Sequence, residues 1–598
     1  MLAALAALVV ALSLAGCVSM PTGGPVRSYP VTQGPAAQNQ PFVQVVPQTP
    51  GAGWSPAQIV QGFLTASASF GDYSKVAYQY LTPGLKATWN PSWSAVVYTS
   101  GPNVAGQAYL PPTAKNPTRA TVQITGDRQA ALQGYGHYSV ASSSSSSAGS
   151  LGAPPSFGLE KVNGQWRISE APPALLLTSV SFQSDYQLRN LYFFDPGENY
   201  LVPDPVYVPL KANQRDLING LVSDLNAPPN DWLSGGATRT AFPKGTKVSV
   251  NTPTGATAVV NLTGSAITKA AAQPDSTVMQ QVSAQLLWTL VDDEQTGSPG
   301  QGVQSVEVEV NGKPWTPPGG QDNPVQQGQP KEWGPATGAS PEFYYVDGAG
   351  DLTSRTGTDG KPANLGRIGT GYTQIAVSPD GRYLAALRGS TLYTGLVGVA
   401  PTKRAGAYVS ISWDDSDNLW ASQGDAIVEF HGTDPRQPLA QMLAVNVSLP
   451  PDGLDITNPA QEFTALQVAP DGVRVAIVIQ GIDLTFGAIS GQDGPSPQIE
   501  LSLVQLSPVN ASKFTGLTWY GPNDVITLAT PGPAVTEYPV SGGTPTSIPA
   551  DPEMQSITAS SGQPLIAGLP DGHMKSDASV TGSWTPLPGA GNSPAYPG

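Results

Sequence analysis

Ile375-Ala376-Val377-Ser378-Pro379-Asp380-Gly381-Arg382-Tyr383-Leu384-Ala385 returns with the same punctuation at Leu466-Gln467-Val468-Ala469-Pro470-Asp471-Gly472-Val473-Arg474-Val475-Ala476. Each copy is an apolar strand, a tight turn and a second apolar strand. Proline presets φ at the first turn position, the aspartate carboxylate bonds its own backbone, and glycine takes the positive φ that closes the turn. These aspartates are therefore structural. Looser copies open at Ile411-Ser412-Trp413, Leu517-Thr518-Trp519 and Ile557-Thr558-Ala559, spacing the copies by about 36, 55, 51 and 40 residues. That is the length of a four-stranded propeller blade with loop insertions. With Phe343-Tyr344-Tyr345-Val346 as an opening strand, residues 341–584 read as an all-β propeller of six or seven blades. Residues 585–598, dominated by Pro, Gly, Ala, Ser and Asn, read as a disordered tail.

Upstream lies a linker rich in Pro, Gly and Gln, residues 316–340, and before it an α+β domain, 201–315. Leu217, Ile218, Leu221, Val222 and Leu225 share one face of a helix over Gln214–Leu225. Val278, Val282, Leu286 and Leu290 repeat every four residues in a second helix starting near Asp275, and Val306-Glu307-Val308-Glu309-Val310 alternates as a strand. With strands at 206–209, 247–250 and 256–262 the order is β-α-β-β-α-β. Ala227-Pro228-Pro229, Phe242-Pro243-Lys244-Gly245-Thr246, Val259-Val260-Asn261-Leu262, Gln285-Leu286-Leu287-Trp288-Thr289-Leu290 and Val310-Asn311-Gly312-Lys313-Pro314 follow one another as in the GerMN domain, which this region resembles.

Residues 55–200 form a further α+β unit. Ser55-Pro56 opens a helix to about Ser69 with Ile59, Val60, Phe63 and Leu64 facing inward, and a second helix runs from about Asp72 to Leu81. Strands follow at 120–124, 131–140, 157–162 and 166–168. The element order and the closing Gly164-Gln165-Trp166-Arg167-Ile168 resemble the NTF2-like or cystatin-like modules of exported proteins, a resemblance that transfers no catalytic residue.

The chain begins with an apolar run, Leu2 to Leu14, ending in Leu14-Ala15-Gly16-Cys17, which holds the only cysteine of 598 residues. A membrane span needs about 20 apolar residues, so residues 1–16 read as a signal peptide cut between Gly16 and Cys17, although no Lys or Arg precedes the run. The tetrapeptide resembles a bacterial lipobox. That resemblance implies an S-diacylglycerol thioether and an N-acyl chain, such as palmitate, on Cys17, and two chains give stable anchoring where one does not. The Pro, Gln, Gly and Thr mixture of residues 17–54 then reads as a flexible tether reaching at most ~100 Å.

A net charge of −15 without a basic patch argues against nucleic acid and against electrostatic adhesion to anionic lipid. Nucleophilic catalysis has no cysteine to use besides Cys17, and His137, His431 and His573 lie far apart in the sequence. No zinc-protease, phosphate-loop or dithiol motif is present, so no metal, cofactor or enzymatic activity is expected. Asp292-Asp293-Glu294 reads as a solvated helix end, and Asp414, Asp415 and Asp417 as a solvated turn.

Anchor, tether, small α+β module, GerMN-like domain and propeller, in that order, resemble the LpqB family of actinobacterial lipoproteins. The resemblance implies a non-enzymatic protein, lipid-anchored on the extracytoplasmic face of the cell membrane, that binds and modulates the extracytoplasmic domain of a sensor histidine kinase. The two-component system would be Mtr-type, acting in cell-envelope homeostasis and division. A reading from another class is a cell-wall glycan-binding receptor, or a glycan-active enzyme, with its site in the propeller. An enzyme of that kind needs two facing carboxylates.

Overall fold

The computed structural model describes residues 47–598 except 69–73, 90–93, 106–117, 134–135, 141–154, 210–213, 230, 252–255, 274–275, 292–302, 317–324, 327–332, 432–438, 440, 449–461, 481–482, 492–496 and 502–512. All described residues fall in one compact unit, Val43–Gly598. Most of the tether and the whole Asp292-Asp293-Glu294 cluster lie outside the described residues.

Among the described residues the repeats fold into six sheets, antiparallel except where Asn446–Ser448 pairs in parallel with Gln498–Leu501 at the outer edge of the fourth, and each runs outward from an inner strand: Gln374–Val377, Ser410–Trp413, Phe463–Val468, Lys513–Tyr520 and Ser556–Thr558 begin the second to sixth blades. The first blade is a composite. Its strands Glu342–Val346, Asp351–Thr356 and Ala363–Arg367 receive their innermost neighbour, Asn592–Ala595, from the end of the chain. Thr585–Ala590 is the outer strand of the sixth blade, paired with His573–Asp577. The expected disordered tail is thus corrected to two strands. Composition counts side chains able to bury themselves, whereas this segment is held by the open backbone edge of Glu342–Val346 and by a few anchors. Tyr596, 5% exposed, packs on Phe343 and donates its hydroxyl to Pro564 O at 2.9 Å.

Among the described residues the blades share no ladder, only the single bridge of Gly424 with Phe463 between the third and fourth, so most backbone groups of the inner strands need other partners. Side chains supply them at every junction. Ser593 Oγ donates to Tyr372 O (2.9 Å) and Gln374 Nε2 to Ile411 O (3.0 Å). Ser410 and Ser412 hydroxyls accept from Leu466 N (3.0 Å) and Val468 N (2.9 Å), and Trp519 Nε1 donates to Gln467 O (3.0 Å). Thr518 Oγ1 accepts from Ala559 N (3.2 Å) and Thr558 Oγ1 from Tyr596 N (3.1 Å). This belt joins blade one to two and so on around to six and back to one, each bond contributing about 1 kcal/mol net.

The turn chemistry also repeats. Gly381, Gly472, Gly521 and Gly562 stand at φ +74°, +69°, +72° and +67° in the turns after the inner strands, and Asp417 holds the same place in the third blade at +60°. Aspartate is one of the few side chains that tolerates the left-handed region.

In the first unit the helix Pro56–Ser67, with Ser55 and Gln58 forming a reciprocal cap, buries Ile59, Val60, Phe63 and Leu64 against a curved sheet. The sheet order is Gln165–Glu170, Ser156–Val162, Arg119–Gln133, Ala95–Val104, Leu175–Thr178. The sequence reading missed Ala95–Val104, which pairs with both Arg119–Gln133 and Leu175–Thr178, because its apolar half fades into Thr99-Ser100-Gly101-Pro102.

The second unit carries parallel strands Thr257–Thr263 and Ser305–Val310 joined through the helix Thr277–Leu290, with Lys247–Val250 alongside. The expected strand over 206–209 does not join this sheet. It ends a nine-pair antiparallel ribbon, Tyr186–Phe194 with Leu201–Pro209. Leu191, Tyr192, Phe193 and Phe194 belong to the second core, so that unit starts before residue 201. The GerMN-like motif explains itself physically: Gln285 Oε1 accepts from Ala241 N (2.6 Å), its Nε2 donates to Tyr192 O (2.8 Å), and Thr289 Oγ1 accepts from Tyr192 N (3.1 Å). These bonds lock helix to ribbon.

Candidate functional site

The ribbon is where the three units meet. Tyr207 lies 4.9 Å from the Phe182 ring and 5.3 Å from Tyr138 of the first unit, donates its backbone N–H to Gly136 O at 2.8 Å, and brings its hydroxyl 3.1 Å from Ser541 Oγ of the fifth blade. Val202, Leu233 and Ala237 share an apolar cluster with Val473 and Ala488 of the fourth blade. Trp232 packs there too and donates Nε1 to the buried Asp204 Oδ1 at 3.2 Å, while His137 Nδ1 stands 3.9 Å from the same oxygen. Shared cores of this kind resist relative domain motion.

Inside the propeller the inner strands enclose a cavity of about 570 Å³. The end carrying the Pro-Asp-Gly turns is covered by Tyr200 from the ribbon tip and by Ala336–Ser340. Ser560 Oγ donates to Gly338 O (3.0 Å) and accepts from Ser340 N (3.0 Å), Leu201 N donates to Gly334 O (3.0 Å), and Trp333 Nε1 donates to Glu198 O (2.9 Å). Residues 333–340, read as part of a linker, form a bonded strap. A tryptophan among Pro, Gly and Gln was the signal available in the sequence.

Two lining carboxylates, Asp414 and Asp415, stand at the covered end. The expected solvated turn is corrected here, because Asp414 is 1% exposed and accepts from Ser416 N, Asn418 N, Asn418 Nδ2 and Trp420 Nε1 at 2.9–3.0 Å. The turn folds back over its own first carboxylate. Burial, reinforced by Asp414, Asp195 and Asp471, pushes Asp415 up to about 7. These two acids are chain neighbours rather than a facing pair, and the geometry of glycoside hydrolysis asks for two groups across a substrate. Among the described residues no cluster of three or more His, Cys, Asp or Glu side chains could hold a metal ion, and no helix is long and apolar enough to cross a membrane. Gly16 and Cys17 lie outside the described residues.

Glu429 is a third acid that the sequence reading passed over. It is fully buried opposite Trp420 in the third blade, and among the described residues neither carboxylate oxygen has a hydrogen-bond partner. Burial first, then the charge of Asp414, raises its pKa to about 7. An unfolded glutamate titrates near 4.3, so the folded state holds the proton more tightly, and this contribution, full below about pH 4, is lost as pH rises through about 7. The melting temperature is expected to fall between about pH 5 and 8, and Glu429→Gln to stabilise by about 1–3 kcal/mol at pH 8 while flattening that slope. A Glu429→Gln melting profile that superposes on the parent at every pH would remove this account.

Keyed α+β units carried on a six-bladed propeller define a class of multidomain scaffold whose sequence can be compared directly. Residues 49–183 match the model of the lipoprotein LpqB N-terminal domain, 190–316 that of the Germane domain of sporulation and spore germination, and 350–597 that of the lipoprotein LpqB β-propeller domain. Similar curated proteins are the lipoprotein LpqB of Thermobifida fusca (29% identical, covering 100% of this chain and 99% of the relative) and of Streptomyces avermitilis (27%, 98% and 97%). That of Mycobacterium bovis is 25% identical, covering 98% and 97%. The chain belongs to the LpqB family.

Proposed function

We infer that this protein is an accessory lipoprotein of the cell envelope, held to the outer face of the membrane by acyl chains on Cys17, whose body docks on the extracytoplasmic domain of a sensor histidine kinase of an Mtr-type two-component system. The observation that carries the reading is one body built from three interaction-type units, keyed together through Tyr207, Trp232 and the 333–340 strap, with full-length similarity to proteins named lipoprotein LpqB. A keyed body transmits a docking event at one face to the others, and anchoring raises its effective concentration beside a membrane kinase.

In-cell cross-linking from exposed positions on the second unit and the propeller is expected to capture the kinase ectodomain. Cys17→Ala is expected to move the protein from membrane to soluble fraction with an unchanged melting temperature, and to reduce kinase output. Retention of Cys17→Ala in the membrane would end the anchor reading, and cross-links to wall polymer alone would end the kinase reading.

A further inference from the structure

The channel end opposite the strap repeats one pattern. Tyr372-Thr373, Phe463-Thr464 and Phe514-Thr515 each put a buried aromatic and then a threonine where an inner strand starts. In all three the hydroxyl donates to a carbonyl of the next strand in the blade: Thr373 to Leu387 O, Thr464 to Val478 O and Thr515 to Leu528 O, each at 3.3 Å. Gln374 spends its Nε2 on Ile411 O. Gln555 holds the matching place in the sixth blade, since Thr373 N donates to Leu387 O (2.8 Å) just as Gln555 N donates to Gly568 O (3.0 Å), and its side chain is exposed. The hydroxyl donors are committed within the protein. What they and Gln374 Oε1 still offer a ligand is acceptor lone pairs, one of the two on Thr515 being taken by Thr530 Oγ1 (3.4 Å).

The charges narrow the chemistry further. The only charged side chains lining the cavity are Asp414 and Asp415, and both are at the covered end. A rim of acceptors with no charged side chain among its lining residues suits a molecule that donates many hydrogen bonds and carries no charge. Small side chains along the wall, Ala376, Ala465 and Gly516 among them, leave the 570 Å³ open, within the range of sites for compact ligands.

We propose that the propeller channel is a binding site for a neutral saccharide, whose hydroxyls donate to Thr373, Gln374, Thr464, Thr515 and Gln555. The site is independent of the kinase partnership, because it is tested without a kinase present.

The full chain in phosphatidylcholine nanodiscs is titrated calorimetrically with cellobiose and maltotriose, and with glucosamine and galacturonate as charged counterparts. At least one neutral probe is expected to bind, with both charged sugars at least about tenfold weaker. Gln555→Ala breaks no side-chain bond among the described residues and, losing about one hydrogen bond's worth of affinity, is expected to weaken binding by about tenfold at unchanged melting temperature. Ala465→Trp, which fills the channel, is expected to abolish binding. Failure of both neutral probes at millimolar concentration, equal binding of the charged sugars, or full affinity in Gln555→Ala overturns the proposal.

Discussion

Deletion of residues 592–598 is expected to open the propeller rather than trim an appendage. The deletion removes the innermost strand of the first blade and leaves Phe343 and Tyr345 on an unpaired edge. It also takes away the buried Tyr596 ring with its bond to Pro564 O, and cuts two belt bonds, Ser593 to Tyr372 O and Tyr596 N to Thr558. Loss of a large buried side chain costs about 3–5 kcal/mol and each bond about 1, so the sum is on the order of 5 kcal/mol or more, comparable with the whole stability of a domain. An unpaired apolar edge also recruits other chains. The truncated protein should melt far lower and associate. A synthetic peptide of residues 591–598 added in trans should restore part of the melting temperature. An unchanged melt of the truncated protein would refute the closure described here.

Gly472→Val is expected to be the most damaging single exchange in the repeated turns. Gly381 and Gly472 occupy the same Pro-Asp-Gly motif and have nearly the same φ, so left-handed strain of about 1–2 kcal/mol applies to both. Their surroundings differ. A Cβ on Gly472 would overlap the Asp415 carboxylate, itself crowded by neighbouring acids, whereas at Gly381 the nearest atom is Tyr344 Oη at 3.5 Å. Overpacking adds about 1–3 kcal/mol at the first site, giving about 2–5 in all against about 1–2 at the second. Denaturant unfolding of the two variants side by side decides the matter, and equal losses would mean that the turn alone, not its contact with the third blade, sets the cost.

That pair of glycines also marks how far a sequence can be read. The repeated strand-turn-strand unit announced the propeller because proline, aspartate and glycine do local jobs, and the helical faces of residues 56–67, 214–225 and 277–290 were visible for the same reason, a periodic pattern matched to one buried side. Asp414 was misread because its turn resembles any solvated loop until Ser416, Asn418 and the Trp420 indole close over its carboxylate. Glu429 was overlooked because a lone acid in a strand is ordinary unless its surroundings are known to be apolar.

The sequence by itself determined the order of the units, the blade repeat and the family, since each rests on residues close together in the chain. Tertiary structure alone decided that the last residues close the ring, that a stretch resembling linker is a strap over the channel, and that Tyr207 ties three units together. The physical reason is that each of these depends on a partner far away in sequence: an open strand edge nearly 250 residues upstream, a serine hydroxyl 220 residues downstream of Ser340, a blade 334 residues beyond Tyr207. A polar or small side chain carries no mark of such a partner until folding brings it near.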